Sequence, residues 1–254
     1  MITSVWEALA VLLAGVAAGT INAVVGSGTL VTFPVLLAIG LSPVTANVSN
    51  NVGMTAGSLS AVAGYRRELA GQRHRVVRLA SASLIGSVMG AVLLLVLPGS
   101  AFKAIVPVLI GLGVVLVVVG PRLQRRVAAR AERRGGHGDA PWLWPAVLGT
   151  GVYGGYFGAA QGVLLLAVLG IGVDDTMQRH NAVKNVLAFV ANGVAALVFV
   201  VVTHVDWRAA ALVAAGSVVG GQVGSTYGKR LPNEVFRVII VVVGVVAIVS
   251  LLLK

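Results

Sequence analysis

The chain has 254 residues, of which 57% are hydrophobic and only 11% are charged. Since a water-soluble domain carries about 25% charged residues, this composition excludes a soluble globular protein. The formal net charge of +11 does not indicate nucleic-acid binding, because the basic residues are concentrated in short stretches, chiefly 66–78 and 122–134, as in loops retained on the cytoplasmic side of a membrane protein.

Ten apolar segments follow one another along the chain, and each predicts a helix. They cover residues 5–25, 29–41, 44–65, 77–97, 102–119, 142–160, 162–173, 177–203, 207–228 and 235–253. About 20 apolar residues cross a bilayer core as a helix, whereas β-barrel strands would alternate polar and apolar residues. We therefore expect an all-α, polytopic transmembrane bundle whose first segment is a retained helix and not a signal peptide.

The segment 29–41 is shorter than the others. At 1.5 Å per residue it reaches only about 20 Å, so it either spans the membrane incompletely or re-enters on the same side. The segment 162–173 leaves the same question open. The expected count of spanning segments is therefore about eight to ten.

A basic linker at 121–141 divides the chain into two parts, 1–120 and 142–254, which we interpret as two transmembrane repeats. Repeats of this kind are common in secondary transporters. If every segment crosses, each part holds an odd number of segments and the repeats are inverted, with the basic loops 66–78 and 121–134 cytoplasmic. The matching stretches are Gly28-Thr-Leu-Val with Gly162-Val-Leu-Leu, and Asn47-Val-Ser-Asn-Asn-Val with Asn181-Ala-Val-Lys-Asn-Val.

A row of amide side chains is predicted on one helix face in each part, because spacings of three and four residues share a face. Such rows either bond helices to each other or line a wet cavity that binds substrate. We expect the cavity, because two matching rows face a repeat interface. The rows are Asn47, Asn50 and Asn51 in the first part and Asn181, Lys184 and Asn185 in the second.

Lys184 stands within an apolar helix, where an ammonium group needs a counter-charge, water or a ligand. One interpretation pairs it with Asp174 or Asp175 through a bent chain. The other is that Lys184 attracts an anion into the cavity. Acidic residues lie only near segment ends or in loops, which argues against a cation site.

Gly26-Ser27-Gly28 precedes the segment 29–41, and Gln161-Gly162 is its counterpart at the segment 162–173. Both predict breaks at which a helix start offers free N–H groups to an anion. The polar residues at these breaks are further candidates for substrate binding: Asn22, Ser27 and Thr29 in the first part and Gln161 in the second. Arg179 and His180 are candidates for a gate or for proton coupling, or else lie at the membrane interface. The ladder Gly216, Gly220, Gly224, Gly228 predicts a close helix-packing face.

No catalytic motif is present: the sequence lacks His-Glu-x-x-His, a phosphate-binding loop, and a serine with credible histidine and aspartate partners. We therefore expect no enzyme activity, no cofactor and no metal site. The expected partners are the lipid bilayer and a small anion, and a homo-oligomer is left open.

The stretch from Gly15 to Asn47, with its glycine-rich helix, Gly26-Ser27-Gly28 and Pro34, resembles the signature of the TauE/SafE family of sulfite exporters. The region from Gly149 through the Asn181 run resembles the second repeat of that family. The resemblance implies a permease of the bacterial inner membrane for sulfite, organosulfonates or related sulfur-containing anions. Three rival hypotheses are an anion channel, a membrane scaffold subunit that carries no solute, and a metal-ion permease.

Overall fold

A computed structural model describes residues 2, 4–131, 139–228 and 233–252. All regular structure in this part of the chain is helical, which confirms the all-α prediction. The ten helices are α1 (Val5–Val24), α2 (Thr29–Ala38), α3 (Pro43–Gly64), α4 (Arg73–Val96), α5 (Gly99–Ala131), α6 (Leu143–Tyr156), α7 (Gln161–Gly172), α8 (Met177–Val202), α9 (Trp207–Thr226) and α10 (Asn233–Leu252).

Five of the described helices, α1, α4, α5, α8 and α9, are long and apolar enough to cross a membrane. The helices α2 and α7 have only 10 and 12 residues, so each reaches roughly 15 to 18 Å at 1.5 Å per residue. The short segments predicted at 29–41 and 162–173 are therefore short helices. Neither is long enough to cross a hydrocarbon core about 30 Å thick.

Local sequence signals fix where several helices begin. Ser42 precedes Pro43 and accepts a hydrogen bond from the Thr45 N–H, and Thr176 caps α8 in the same way. The Asp206 carboxylate accepts from the Ala209 N–H at the start of α9. A side-chain oxygen at this position satisfies an N–H that the helix itself leaves free.

The predicted linker differs from expectation at its beginning. Helix α5 continues beyond the apolar segment 102–119 and ends at Ala131, so the first part of 121–141 is helical. Residues 132–138 lie outside the described part. The helix continues because 121–131 is rich in Arg and Ala, which are good helix formers, and Pro121 stands only at its start.

A constant spacing relates the later helices of the two parts. Helices α3, α4 and α5 begin at Pro43, Arg73 and Gly99, and α8, α9 and α10 begin at Met177, Trp207 and Asn233. Each start in the second set lies 134 residues after its counterpart. The predicted match of Asn47 with Asn181 has the same spacing.

The helices pack into two groups that each draw on both parts of the sequence. Helix α1 packs mainly on α9, and α9 also packs on α3; in the same way α6 packs mainly on α4, and α4 also packs on α8. We call α1, α3 and α9 bundle I, and α4, α6 and α8 bundle II. By the 134-residue spacing, α9 and α4 are counterparts, and so are α3 and α8.

Glycines bring the backbones together inside bundle I. A Cβ placed on Gly216 would lie 2.8 Å from the Val16 nitrogen, and one on Gly220 would lie 2.8 Å from the Thr20 nitrogen. A Cβ on Gly224 would lie 2.6 Å from the Thr20 oxygen. Gly216, Gly220 and Gly224 therefore form a packing face, as predicted, and admit no side chain, whereas Gly228 of the predicted ladder lies beyond the end of α9.

Candidate functional site

The two helix breaks predicted from the glycines lie against each other. After α1 ends, Gly26 has a φ of 86°, which favours glycine. The Gly162 N–H donates to the Gly26 oxygen over 3.0 Å. A Cβ on Gly162 would lie 2.8 Å from the Gly26 oxygen and nearer still to its Cα. The breaks of the two parts thus meet at a main-chain contact.

Lys184 is fully buried, and its ammonium group binds the end of α1. Its Nζ donates to the Asn22 oxygen over 2.8 Å and to the Ala23 oxygen over 3.1 Å. The last carbonyl groups of a helix have no partner within the helix, and they carry the negative end of its dipole. This helix end, and neither Asp174 nor Asp175, is the partner of Lys184 in the described structure.

Asn185 shares the same helix end, because its Nδ2 donates to the Ala23 oxygen over 3.3 Å. This bond points the amide nitrogen at α1 and leaves the Asn185 Oδ1 buried without a partner among the described residues. Asn181, one turn earlier, has a buried Oδ1 in the same condition. The hydrogen-bonding groups of the row in the second part are therefore only partly paired by the described protein.

The row of the first part makes different bonds. The Asn47 Nδ2 donates to the Tyr156 oxygen at the end of α6 over 3.0 Å. Asn50 donates to the Thr29 Oγ1 over 3.1 Å and accepts a bond from the Thr32 hydroxyl. Asn50 and Thr29 thus fix α2 to α3.

The two rows meet where α3 crosses α8. The Asn51 Nδ2 lies 3.5 Å from the Asn192 Oδ1, and the Asn192 Nδ2 donates to the Ser58 Oγ over 3.3 Å. The Asn22 Nδ2 also donates to Ser58, over 3.4 Å. The sequence places Asn192 on the same helix face as the second row, two turns after Asn185, but sequence reasoning did not select Ser58. The 134-residue spacing could have found Ser58, because it makes Ser58 the counterpart of Asn192.

Several buried polar atoms at the breaks and in the rows lack a partner among the described residues. Buried polar groups are nearly always hydrogen-bonded, so such atoms retain the capacity to bind water or a solute. They are the Ser27 Oγ, Asn51 Oδ1, Gln161 Nε2, Asn181 Oδ1 and Asn185 Oδ1. All five belong to residues that the sequence selected. The Tyr153 and Tyr156 hydroxyls at the end of α6 are in the same condition, and the sequence did not select them.

Arg179 belongs to a cluster of ion pairs at one end of bundle II. Its Nε lies 2.7 Å from the Asp175 Oδ1, and Arg75 bridges Asp175 over 3.1 Å and Asp139 over 2.8 Å. Burial alone would raise the pKa of Asp175, but its hydrogen bonds and the charge of Arg179 outweigh burial and leave the pKa below its ordinary value. His180 follows Arg179 and is buried.

Within the described residues no group of three or more His, Cys, Asp or Glu side chains is arranged to hold a metal ion. The chemistry that the arrangement offers is binding. An ammonium group, amides and a hydroxyl converge on two helix breaks, and none of the described carboxylates pairs with Lys184.

Comparison with known proteins finds one family along nearly the whole chain. The profile of the family described as "Sulfite exporter TauE/SafE" matches residues 11–251. A protein from Sinorhizobium named probable membrane transporter protein ORF9 is 27% identical, covering 92% of this chain and 88% of its own length. The probable membrane transporter protein YfcA of Escherichia coli K12 is 26% identical, with 92% and 86% covered. A probable membrane transporter protein of Haemophilus influenzae is also 26% identical, with 85% of each chain covered.

Proposed function

The chain belongs to the sulfite exporter TauE/SafE family, and we propose that it is a secondary transporter that carries small sulfur-containing anions, such as sulfite or an organosulfonate, across the bacterial plasma membrane. The observation that carries the proposal is the buried ammonium group of Lys184, which has carbonyl partners and no described carboxylate partner. The relatives named as membrane transporters support the same class of function.

The charge balance at Lys184 favours an anion. The end of a helix carries the equivalent of about −0.5 elementary charge, whereas the ammonium group carries +1. About half a positive charge is therefore left uncompensated in a region of low dielectric constant, where electrostatic interactions are strong. A solute with one negative charge removes this excess, and a cation increases it.

Neutral hydrogen-bonding groups complete the proposed site. The Ser27 hydroxyl and the Gln161 amide lie beside the contact of Gly26 with Gly162, and both retain an unpartnered polar atom. Such donors suit the oxygen atoms of a sulfite or sulfonate group. Unlike a second charge, they hold the anion without binding it too tightly for release.

The proposed orientation follows from the helix order. Helices α4 and α5 lie between the basic loops at 66–78 and 121–134, and both are long and apolar enough to cross, so the two loops share one side. Since positively charged loops are retained in the cytoplasm, we assign that side to the cytoplasm.

Radiolabelled sulfite uptake into proteoliposomes tests the proposal. Lys184→Met keeps the length of the side chain and removes the charge, so flux is expected to fall at least tenfold. Lys103→Met is the matched control, because Lys103 is exposed on α5, and its flux should stay at the wild-type level. Wild-type flux in Lys184→Met protein would refute the role of the ammonium group.

The same vesicles separate a transporter from a channel. A transporter shows saturable uptake and counterflow, in which unlabelled internal sulfite accelerates the entrance of labelled sulfite, whereas a channel shows neither. Competition by thiosulfate, sulfoacetate, taurine and acetate then ranks the solutes. Preference for acetate over every sulfur compound would reject the proposed substrate class.

A further inference from the structure

Contacts within each bundle are made by backbones that cannot separate without losing their packing. In bundle I a Cβ on Gly57 would lie 2.9 Å from the Ser217 oxygen, and Gly216 and Gly220 admit no side chain beside α1. In bundle II a Cβ on Gly86 would lie 2.9 Å from the Val152 nitrogen, and one on Gly155 would lie 2.8 Å from the Ser87 Cα. Close backbone approach of this kind makes each bundle a rigid unit.

Hydroxyl bonds add to the rigidity of each bundle. The Ser83 and Ser87 hydroxyls of α4 donate to the Leu187 and Ala191 oxygens of α8, over 2.8 and 2.5 Å. In bundle I the Ser60 hydroxyl of α3 donates to the Val218 oxygen of α9 over 2.8 Å. These bonds join helices of the two sequence parts to each other.

Helix α8 of bundle II packs on α3 of bundle I about as extensively as on α4 of its own bundle, but the contacts across this boundary are of another kind. Apart from the Gly26 contact with Gly162, the described hydrogen bonds across it are made by polar side chains. A Cβ on Gly193 of α8 would lie 3.7 Å from the Thr55 Cγ2 of α3, an ordinary contact with a side chain and not with a backbone. The bonds run from Asn47 to Tyr156, Asn51 to Asn192, Asn192 to Ser58, Lys184 to Asn22 and Ala23, and Asn185 to Ala23.

We propose that bundle I and bundle II are the two bodies that move against each other during transport, and that the polar boundary between them is the path of the anion. The inference rests on the proposed transport function and adds Ser58 and Asn192 to the residues that face the solute. The same contacts oppose movement of one sequence part against the other, because it would pull α1 from α9 and α6 from α4.

Gly26 and Gly162 supply the pivot for this motion. They form the one main-chain hydrogen bond described between the two breaks, and each break joins a bundle helix to a short helix. Side-chain bonds on either side of such a pivot can open alternately while the pivot itself stays closed. That alternation exposes the boundary to one side of the membrane at a time.

Distance measurements between spin labels test which bodies move. The chain has no cysteine, so two cysteines can be introduced and labelled without background. Ala63→Cys with Tyr227→Cys joins the ends of α3 and α9, which lie in different sequence parts but in one bundle. Met177→Cys with Tyr227→Cys joins α8 and α9, which lie in one sequence part but in different bundles. All three positions are exposed.

In lipid vesicles, with and without sulfite, the 63/227 pair should give one narrow distance distribution. The 177/227 pair should give two distances, or a distance that shifts with sulfite. Movement of the 63/227 pair with a fixed 177/227 distance would overturn the proposal in favour of the sequence parts, and two fixed distances would overturn any rigid-body motion. Because these distances do not require flux, failure of the proposed substrate is distinguishable from failure of this inference.

Cross-linking gives a second readout. Dibromobimane forms thioether links, which sulfite does not cleave as it would a disulfide. Linking Ser60→Cys to Gln222→Cys within bundle I should leave uptake unchanged, since those side chains are already bonded over 3.0 Å. Linking Thr55→Cys to Gly193→Cys across the boundary should reduce uptake at least tenfold relative to monobromobimane on the same protein. Equal uptake after both links would refute the assignment of the moving bodies.

Discussion

Replacing Gly162 by alanine should destabilise the fold, because the added Cβ forces apart the two helix breaks that meet at Gly26 and Gly162. The added Cβ would lie 2.8 Å from the Gly26 oxygen, whereas an ordinary contact begins near 3.4 Å. The breaks must therefore separate by at least about 0.6 Å, and the Gly162 N–H bond of 3.0 Å then exceeds the 3.2 Å limit of a good hydrogen bond. The opposing atoms are main-chain atoms, so no side chain can rotate away.

The expected cost combines two effects. Loss of the hydrogen bond costs about 1 kcal/mol, and overpacking costs about 1–3 kcal/mol. The sum, about 2–4 kcal/mol, lowers the folding equilibrium constant roughly 30- to 700-fold, since 1.4 kcal/mol corresponds to a factor of ten.

Unfolding by sodium dodecyl sulfate in mixed micelles, followed by the fluorescence of the 4 tryptophans, measures this free energy. Gly149→Ala is the matched control, because Gly149 lies within α6 and a Cβ there meets nothing within 4 Å. That control should be neutral or slightly stabilising, as expected for Gly→Ala in a helix. Equal stability of the Gly162 and Gly149 variants would refute the reasoning about the break contact.

Three further predictions concern individual bonds. Ser83→Ala removes the bond to Leu187 and should lower the free energy of unfolding by about 0.6 kcal/mol, the average for such bonds in a membrane protein; the same titration checks it. Asn47→Ala leaves the Tyr156 oxygen unpaired and should cost about 1–3 kcal/mol, with Asn47→Gln as the comparison that retains an amide. Because the pKa of Asp175 is lowered in the folded state, its contribution to stability is complete above its unfolded pKa of about 3.9 and is lost as the pH falls below that value. Thermal unfolding between pH 3 and 7 should therefore show a steeper loss of stability in acid for the wild type than for Asp175→Asn, and parallel curves would contradict the role of Asp175.

Much of the architecture could be predicted from local patterns. The apolar segments marked the helices, and Ser42-Pro43, Gly26-Ser27-Gly28 and Gln161-Gly162 marked starts and breaks. Each of these signals depends on a few neighbouring residues, so it can be recognised in a single sequence. The hydropathy pattern does not predict that the linker begins as a helix, because hydropathy indicates burial in the membrane and not helix propensity.

The partners of the polar residues could not be predicted in the same way. Lys184 binds main-chain oxygens about 160 residues away, and every residue has such an oxygen, so the sequence gives no sign of which one is used. The alternative partners, Asp174 and Asp175, were chosen because they are near in the chain. Asp175 is instead occupied by Arg75 and Arg179, whose side chains come from two different helices.

The exchange of helices between the two parts has a consequence for how the protein is made. Helix α1 ends at Val24 and its main partner α9 begins at Trp207, so roughly 180 residues are synthesised before the partner exists. At about 5–20 residues per second, the face of α1 that packs on α9 remains for about 10 to 40 s in the bilayer with only lipid or the insertion machinery beside it. Neither part of the chain, expressed alone, contains the helix on which its own first helix packs. Assembly of the protein is therefore completed only after α9 has been translated.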